Sequence, residues 1–312
     1  MRCIMRHGDR SYGGLLSLRH VAGIGRPVAI GDFKPTHLED WVGQQLLGFL
    51  RRHVCIGAKA LAQRADGREL SAQTADEVRY SEADGLYYAV YPDMTSVASA
   101  VLFLTDLEEY YAVSDAGDPV FKSFVAVFPE ERVRTQEEFE IQYWRFAQLL
   151  SDISLLTHPW PDAIPSDPAE RHFELCLAGR PVFSTTLNPQ NPRLARQFSY
   201  LAWVMNQKSQ FDMLRARETF ERWQRNIRAD DAKVDPSGQP NPILVDHGDG
   251  SAAMQLAGSF RGHCDFHVRS GSGRVAAGER LLQLANVESA PDDVLRLLKS
   301  RYPACSKGGA DT

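Results

Sequence analysis

The chain has 312 residues, of which 43% are hydrophobic and 24% are charged, and its formal net charge is −5. These values are those of an ordinary globular protein, and the length is sufficient to bury a large core without disulfides. The mixed charge gives no reason to expect nucleic-acid binding, and the absence of any apolar run of about 18 residues argues against a membrane span.

The cysteines exclude two further classes of protein. They are odd in number and irregularly spaced, and no C-x-x-C occurs, which argues against a zinc ribbon and against a disulfide framework. The N-terminal stretch "MRCIMRHGDRSYGG" lacks the long apolar segment of a signal peptide. We therefore expect a protein of the reducing cytoplasm, with some of its thiols free to bind a metal or cofactor. The five cysteines are Cys3, Cys55, Cys176, Cys264 and Cys305.

The first third of the chain contains two predicted helices and one predicted strand. Residues 1–34 are rich in Gly and Arg without a clear period, so we expect a poorly specified N-terminal extension. A helix is predicted for "THLEDWVGQQLLGFLRRH", where Thr36 and Glu39 match a capping box. "GLYYAVYP" predicts a strand, and "TSVASAVLFLTDLEEYYAV" predicts a helix that begins at Thr95 or Ser96.

The rest of the chain mixes strands and helices without regular alternation. "VFKSFVAVFPE" predicts a strand, and "TQEEFEIQYWRFAQLLSDISLL" a helix with a second capping box at Thr135 and Glu138. "HFELCLAGRPVFSTTL" predicts two strands around a turn at 178–181, and "YLAWVMN" predicts a strand before one long helix over 209–230. "PDDVLRLLKSRY" predicts a last helix. The pattern favours an α+β fold in which helices flank a mostly antiparallel sheet, with one domain over 35–300 and a polar tail over 301–312.

Three groups of residues could carry chemistry. "GHCDFHV" places His263, Cys264 and His267 close together, and these are good ligands for transition metals or haem iron. His247, in the Gly-rich "LVDHGDG", is either a functional loop residue or a turn histidine bonded to backbone. Arg193 and Arg196 would share one face if their turn is helical and could then clamp a carboxylate or phosphate; the alternative is a solvated basic edge.

Several segments, in this order, resemble the YqcI/YcgG family over about residues 50–268. Among them are "FVAVFPEERVRTQEEFEIQYWRFAQLLSDIS", "RLARQF", "WVMNQKSQFDMLR" and "HCDF". Two histidines of the family pattern are replaced, by Asn188 and by Lys208. The positions that match the pattern include Cys55, Arg193, Arg196, Asn206, Gln210, Phe211, Asn241, Gln255 and Cys264.

The family includes haem-dependent N-hydroxylases, so the resemblance implies a haem-dependent oxygenase of a biosynthetic pathway. It would hydroxylate a guanidine or amine nitrogen of an amino-acid-like small molecule, using O2 and an external electron donor, either a protein or a reductant. No nucleic-acid or membrane partner is expected, and a homodimer is left open. The alternatives are a divergent haem protein with a peroxide or sensing role, and a haem-free binding protein.

The resemblance also implies roles for individual residues. The alternative haem ligands are Cys55, Cys264, His247 and Lys208, of which Lys208 could ligate only as a neutral amine. The arginine pair would suit haem propionates, since guanidinium and carboxylate match bidentately. The candidate catalytic residues are Lys208, His247 and Asp246. The candidate cofactor contacts are Arg193, Arg196, Asn206, Gln210, Phe211, Asn241 and Gln255.

Overall fold

A seven-stranded sheet forms the centre of the fold. The computed structural model describes residues 5–7, 10–17, 28–29, 37–52, 85–116, 122–242, 251–257, 266–268, 279–281, 283–285 and 296. The sheet strands are β3 (Leu16–Ser17), β4 (Val28–Ala29), β5 (Leu86–Val90), β6 (Ser123–Phe128), β7 (Leu175–Leu177), β8 (Arg180–Leu187) and β9 (Leu201–Gln207). Two preceding strands, β1 (Met5–His7) and β2 (Arg10–Tyr12), form a separate two-stranded sheet.

Helices connect or follow most of these strands. They are α1 (His37–Arg52), α2 (Val97–Asp115), α3 (Gln136–Ser154), α4 (Lys208–Ala216), α5 (Phe220–Val234) and α6 (Ala253–Ala257). A 3-10 turn at Leu194–Arg196 lies in the loop between β8 and β9. Within the described ranges, no helix combines the length and the apolar character needed to cross a membrane.

The strand order is β4-β3-β5-β6-β9-β8-β7. Of the pairs in the described sheet, β5 and β6 run parallel, with α2 as their crossover, and the others run antiparallel. A parallel pair needs such a crossover, whereas antiparallel neighbours can be joined by short loops. The predicted α+β fold with a mostly antiparallel sheet is confirmed.

Helices cover both faces of the sheet. Phe124 of β6 contacts Phe103 of α2, at 5.9 Å between ring centroids. The next residue, Val125, is in register with Tyr88, whose hydroxyl donates to the Glu39 carbonyl of α1 at 3.0 Å. Because neighbouring residues of a strand point to opposite faces, α2 and α1 lie on opposite sides of the sheet.

The caps of α2 and α3 explain why these helices begin where they do. The Ser96 hydroxyl accepts a hydrogen bond from the Ser99 amide, and the Thr135 hydroxyl accepts one from the Glu138 amide at 3.1 Å. The Glu138 carboxylate in turn accepts from the Arg134 amide at 2.8 Å. Each bond satisfies a backbone donor that has no intrahelical partner, as the predicted caps require.

The turn between β7 and β8 has only two central residues. Ala178 and Gly179 both have positive φ, at 49° and 72°. This is the geometry of a type I′ turn, whose twist matches that of the flanking strands. The hairpin is the predicted one, although β8 already begins at Arg180.

Part of the expected N-terminal extension belongs to the main domain. Leu16 pairs with Tyr88 of β5, and Tyr12, Leu15 and Leu16 are at most 2% exposed within the main core. Loss of these side chains from water stabilises the fold by roughly 1.5–3 kcal/mol each. Because the residues around them are rich in Gly and Arg, the sequence pattern does not reveal this apolar segment. The predicted domain boundary at residue 34 therefore leaves it out.

The long helix predicted over 209–230 is two helices. The chain leaves α4 at Arg217, passes through Glu218 with a φ of 56°, and begins α5 at Phe220. The predicted loop over 62–82 and most of the predicted helix over 291–302 lie outside the described residues.

Candidate functional site

The register of β8 and β9 separates the two positions where the family pattern has histidine. Leu187 pairs with Ala202, and Val182 pairs with Gln207. Asn188 directly follows β8 and Lys208 directly follows β9, so they lie at opposite ends of this antiparallel pair. Seven residues separate the two positions along the strands, which is roughly 23 Å at the usual rise per residue.

The described candidate residues therefore fall into two groups, which we name by their ends of the sheet. The Asn188 end comprises Asn188, Arg193, Arg196, Asn241 and Gln255. The Lys208 end comprises Asn206, Lys208, Gln210 and Phe211.

Asn188 is fully buried and makes hydrogen bonds in three directions. Its Nδ2 donates to Gln136 Oε1 at 3.0 Å, and its Oδ1 accepts from the Gln190 amide at 2.8 Å. Its backbone amide donates to the Arg196 carbonyl at 3.1 Å. The side chain thus holds the start of the β8–β9 loop against α3.

Gln136, at the first position of α3, connects three elements. Besides accepting from Asn188, its Nε2 donates to Glu140 Oε1 at 2.9 Å and to the Ala257 carbonyl at 3.1 Å. Glu140 is only 3% exposed, so a carboxylate is buried beside this amide. No sequence pattern marks either residue, because Gln136 is an ordinary residue for a helix start and Glu140 has the type expected of a solvated charge on α3.

Side chains bind the last carbonyls of α6. Arg196 Nη1 donates to the Gln255 carbonyl at 3.4 Å, and Thr186 Oγ1 donates to the Leu256 carbonyl at 3.0 Å. Gln136 binds the carbonyl of Ala257. The final carbonyls of a helix have no intrahelical partners and favour a nearby cation, so Arg196 both satisfies and complements this helix end.

Arg193 is paired with two carboxylates of α5 and its C-terminal cap. It forms a short ion pair with Asp231, and its Nη1 lies 3.0 Å from Asp235 Oδ2. Asp231 also accepts from the Asn241 amide at 2.7 Å. Hydrogen bonds from Ser237 and the charge of Arg193 lower the pKa of Asp235.

The two arginines do not form a common clamp, although Arg193 caps and Arg196 ends the same 3-10 turn. Arg193 reaches toward α5, whereas Arg196 reaches toward α6. Neither matches a solvated basic edge, since the Arg193 side chain is 13% exposed and Arg196 is 8% exposed.

At the other end, Lys208 lies between two acidic residues. Its Nζ is 3.4 Å from Asp212 Oδ1 and 3.9 Å from Glu174 Oε1. The lysine side chain is 25% exposed, while that of Glu174 is 14% exposed. Burial raises the pKa of Glu174, and the charge of Lys208 opposes that effect. The amine is therefore already engaged in ion pairing.

The remaining residues of the Lys208 end join α4 to the sheet and to α2. The Ser123 hydroxyl donates to Asn206 Oδ1, and Gln210 Nε2 donates to the Tyr110 hydroxyl at 3.2 Å and to the Lys122 carbonyl. Phe211 packs against Phe183, Phe220 and Trp223 in a small second apolar cluster.

Four predicted site residues lie outside the described part of the chain: Cys55, Asp246, His247 and Cys264. Residues 266–268, a little further along the chain, are described. Phe266 packs against Trp144, Trp160 and Phe173, and Gln148 hydrogen-bonds both the amide and the carbonyl of His267, at 2.6 and 3.0 Å. Among the described residues, no group of three or more His, Cys, Asp or Glu side chains is arranged to hold a metal ion.

Comparison with known proteins gives a match to a protein family. The model of the YqcI/YcgG family matches residues 78–262, which is more than half of the chain. The chain belongs to the YqcI/YcgG family. No curated protein and no solved structure matches it.

Some of the candidate haem ligands lie within the range that matches the YqcI/YcgG family, and others lie outside it. Lys208 and His247 lie within it, and both ends of the β8–β9 pair do as well. Cys55 lies before the matched range, and Cys264 lies two residues beyond its end. The assignment of each cysteine to a family position thus remains a prediction from the resemblance.

Proposed function

We propose that this member of the YqcI/YcgG family is a haem-dependent oxygenase that hydroxylates a nitrogen of an amino-acid-like small molecule. The observation that carries the proposal is the match to the YqcI/YcgG family over residues 78–262, since the resemblance to that family implies haem-dependent N-hydroxylation. The odd number and irregular spacing of the cysteines, which argue against a disulfide framework, further support a cytoplasmic location.

At the Asn188 end, Arg196 is suited to bind an anionic group. Arg196 is a nearly buried guanidinium beside the end of α6, and a planar guanidinium binds a carboxylate bidentately. A haem propionate or the substrate's own carboxylate has the charge and the planar shape to bind such a group. Arg193 suits this role less well, because Asp231 and Asp235 already occupy its guanidinium.

Neither replaced histidine position offers a ready iron ligand. The side-chain amide of Asn188 forms hydrogen bonds with Gln136 and Gln190, and the Lys208 amine is paired with acidic residues. The iron would therefore be held by a thiolate of Cys55 or Cys264, or by the imidazole of His247. Haem held by a thiolate supplies the oxygen-activating chemistry that side chains alone lack.

The chain's own contribution would be binding and orientation. Arg196 would hold a carboxylate at the end of α6, and the buried aromatic residues of α3 would exclude water from that side. A cationic substrate nitrogen needs an anionic partner, for which Asp246 remains a prediction. An external donor would supply the electrons.

The direct test is the absorbance of the purified chain after haem addition. We expect a Soret band in the wild type and its shift or loss in one of Cys55→Ser, Cys264→Ser and His247→Ala. Incubation of the loaded protein with guanidine- and amine-bearing amino acids, labelled O2 and a reductant should then place one labelled oxygen atom on nitrogen. A Soret band without turnover would instead support the peroxide or sensing role.

A haem-free binding protein is the second candidate, and one observation favours it. Both histidines of the family pattern are absent, and the residues that replace them, Asn188 and Lys208, bind other groups of the protein. This candidate predicts a wild type that takes up no haem but is stabilised against heat by an amino-acid-like ligand.

A further inference from the structure

We infer that the exposed face of α5 is the docking surface for the external electron donor, and that this donor is a small acidic redox protein. The inference rests on the proposed function and goes beyond it by naming the surface and the chemical class of the partner. The surface, which we call the α5 stripe, comprises Arg222, Arg225, Ala229 and Lys233.

The four residues of the α5 stripe share one face of the helix. Their spacing of three, four and four residues follows the helical period, and all four residues are exposed. At 1.5 Å per residue, the three cations extend over roughly 16 Å of the helix. Among the described residues, no carboxylate forms an ion pair with Arg222 or Arg225.

The tertiary structure takes acidic residues of this segment away from the exposed face. Asp231 and Asp235 both pair with Arg193 of the β8–β9 loop, and their side chains are only 13% and 10% exposed. Asp231 therefore lies on the side of the helix that faces the protein, away from the α5 stripe. Among the described side chains of α5, Glu221 is the exposed anion. The exposed face thus has an excess of positive charge, which the mixed sequence of the helix does not indicate.

The packing of α5 uses the other side of the helix. Trp223 packs against Phe211 and Phe220, at 5.6 and 5.8 Å between ring centroids. Ile227, one turn further along, is also partly buried. The arginines of the α5 stripe take no part in this cluster, so their charges can be removed while the helix stays in place.

The charge of the whole chain indicates which kind of partner fits this surface. The formal net charge is −5, so an acidic protein is repelled by the molecule as a whole and attracted by the α5 stripe. Such a distribution favours one orientation of the encounter over others. The α5 stripe offers Arg, Lys and Ala rather than large apolar side chains, which suits the small, transient contacts of electron-transfer complexes better than a permanent subunit interface. The proposed oxygenase takes its electrons from an external donor, and an acidic donor protein is the partner that this surface fits.

A matched pair of double variants tests the docking surface. We would load the wild type and Arg222→Gln/Arg225→Gln with haem and measure binding to a plant-type [2Fe–2S] ferredoxin and to an acidic flavodoxin by surface plasmon resonance. The control is Arg134→Gln/Arg145→Gln, which removes two exposed arginines just before and within α3. Glutamine and arginine have similar helix propensities, so we expect both variants to fold, and thermal unfolding checks this.

We expect the wild type to bind at least one of the two redox proteins. Removal of the two charges from the α5 stripe should weaken that binding about tenfold at about 20 mM salt, and the control should stay within about twofold of the wild type. The difference should shrink at about 150 mM salt, because salt screens exposed charges. Turnover driven by the bound redox protein should fall in parallel, whereas turnover driven by dithionite should not change.

Three results would overturn the inference: binding of neither redox protein, an equal loss in both double variants, or no loss in the variant of the α5 stripe. Tighter binding of a short DNA duplex than of either redox protein would overturn it as well. A wild type that takes up no haem overturns the proposed function itself, and the donor role with it. The haem-loading step shows this before any binding is compared.

Discussion

Polar residues that look alike in the sequence differ in their binding partners and in their burial. Arg193 and Arg196 look equivalent in the sequence, yet one pairs with Asp231 and the other with the end of α6. Asn188 and Lys208 both replace a histidine of the family pattern, yet one is fully buried and the other is partly exposed. The second pair therefore gives matched variants with different expected outcomes.

Restoring histidine should be costly at one position and not at the other. Asn188→His loses the acceptor for the Gln190 amide and places a larger ring in a fully buried site, so we expect a loss of about 2 kcal/mol of unfolding free energy. Lys208→His should change it by about 0.5 kcal/mol or less. Urea unfolding followed by tryptophan fluorescence measures both. Equal stability of the two variants would contradict the burial of Asn188.

The cap of α5 should make stability depend on acid pH. The folded state lowers the pKa of Asp235, so the stabilisation from its carboxylate is present at neutral pH. It is lost as the pH falls through that lowered pKa, below the ordinary aspartate value of about 3.9. We expect Asp235→Asn to lose stability at neutral pH and to show a smaller drop in Tm on acidification than the wild type. The exposed Asp162→Asn is the control, and an unchanged drop in Asp235→Asn would refute this role.

At the scale of elements, the break between α4 and α5 is a Schellman motif. The Thr219 amide donates to the Leu214 carbonyl, and the Glu218 amide donates to the Arg215 carbonyl. Such an ending needs a residue with positive φ just beyond the helix, which is usually Gly. Here Glu218 takes that conformation, so the sequence lacks the residue that would have predicted the break.

Replacing Glu218 with glycine should therefore stabilise the protein. In the folded state, a residue other than Gly is destabilised by about 1–2 kcal/mol when its backbone is left-handed. Glycine avoids this cost, but its greater flexibility in the unfolded chain offsets part of the gain. We expect Glu218→Gly to raise the unfolding free energy by about 0.5–1 kcal/mol. The control, Glu221→Gly in the first turn of α5, should lower it by up to about 1 kcal/mol. Thermal and urea unfolding of both variants give the comparison, and a loss in Glu218→Gly would argue against this helix ending.

At the scale of the whole molecule, the N-terminal segment is held in the core by a buried carboxylate. Asp106 of α2 accepts from the Gly14 amide at 2.9 and 3.0 Å and from the Tyr91 hydroxyl at 2.8 Å. Gly14 has a φ of 88°, which a residue with a side chain would adopt only with strain. This contact fixes the chain just before β3 enters the sheet.

Removing that carboxylate should loosen the whole domain. Asp106→Ala leaves two buried donors without their acceptor, and we expect a loss of about 3 kcal/mol of unfolding free energy. Tyr91→Phe removes one donor and should cost about 1 kcal/mol. Asp115→Ala, on the same helix but with its side chain 47% exposed, should cost about 1 kcal/mol or less. Urea unfolding ranks the three, and a similar cost for both aspartates would contradict the proposed anchor.

The sequence by itself determined most elements and the fold class. Apolar periodicity and local capping give α1, α2, α3 and β5–β9, because these signals act between residues close in the chain. The sequence also identified the family, because the order of its segments is a property of the chain alone. The break at Glu218 and the place of Leu15 and Leu16 escaped it, because the local residue types there are atypical.

Only the tertiary structure decided which residues share a site. Strand register sets Asn188 and Lys208 at opposite ends of one sheet, although both follow a strand and both replace a histidine. It also brings Gln136 to Asn188 and to α6 across more than fifty and one hundred residues of chain. Such contacts depend on how strands pair and helices pack over long sequence separations, and no local pattern encodes that pairing.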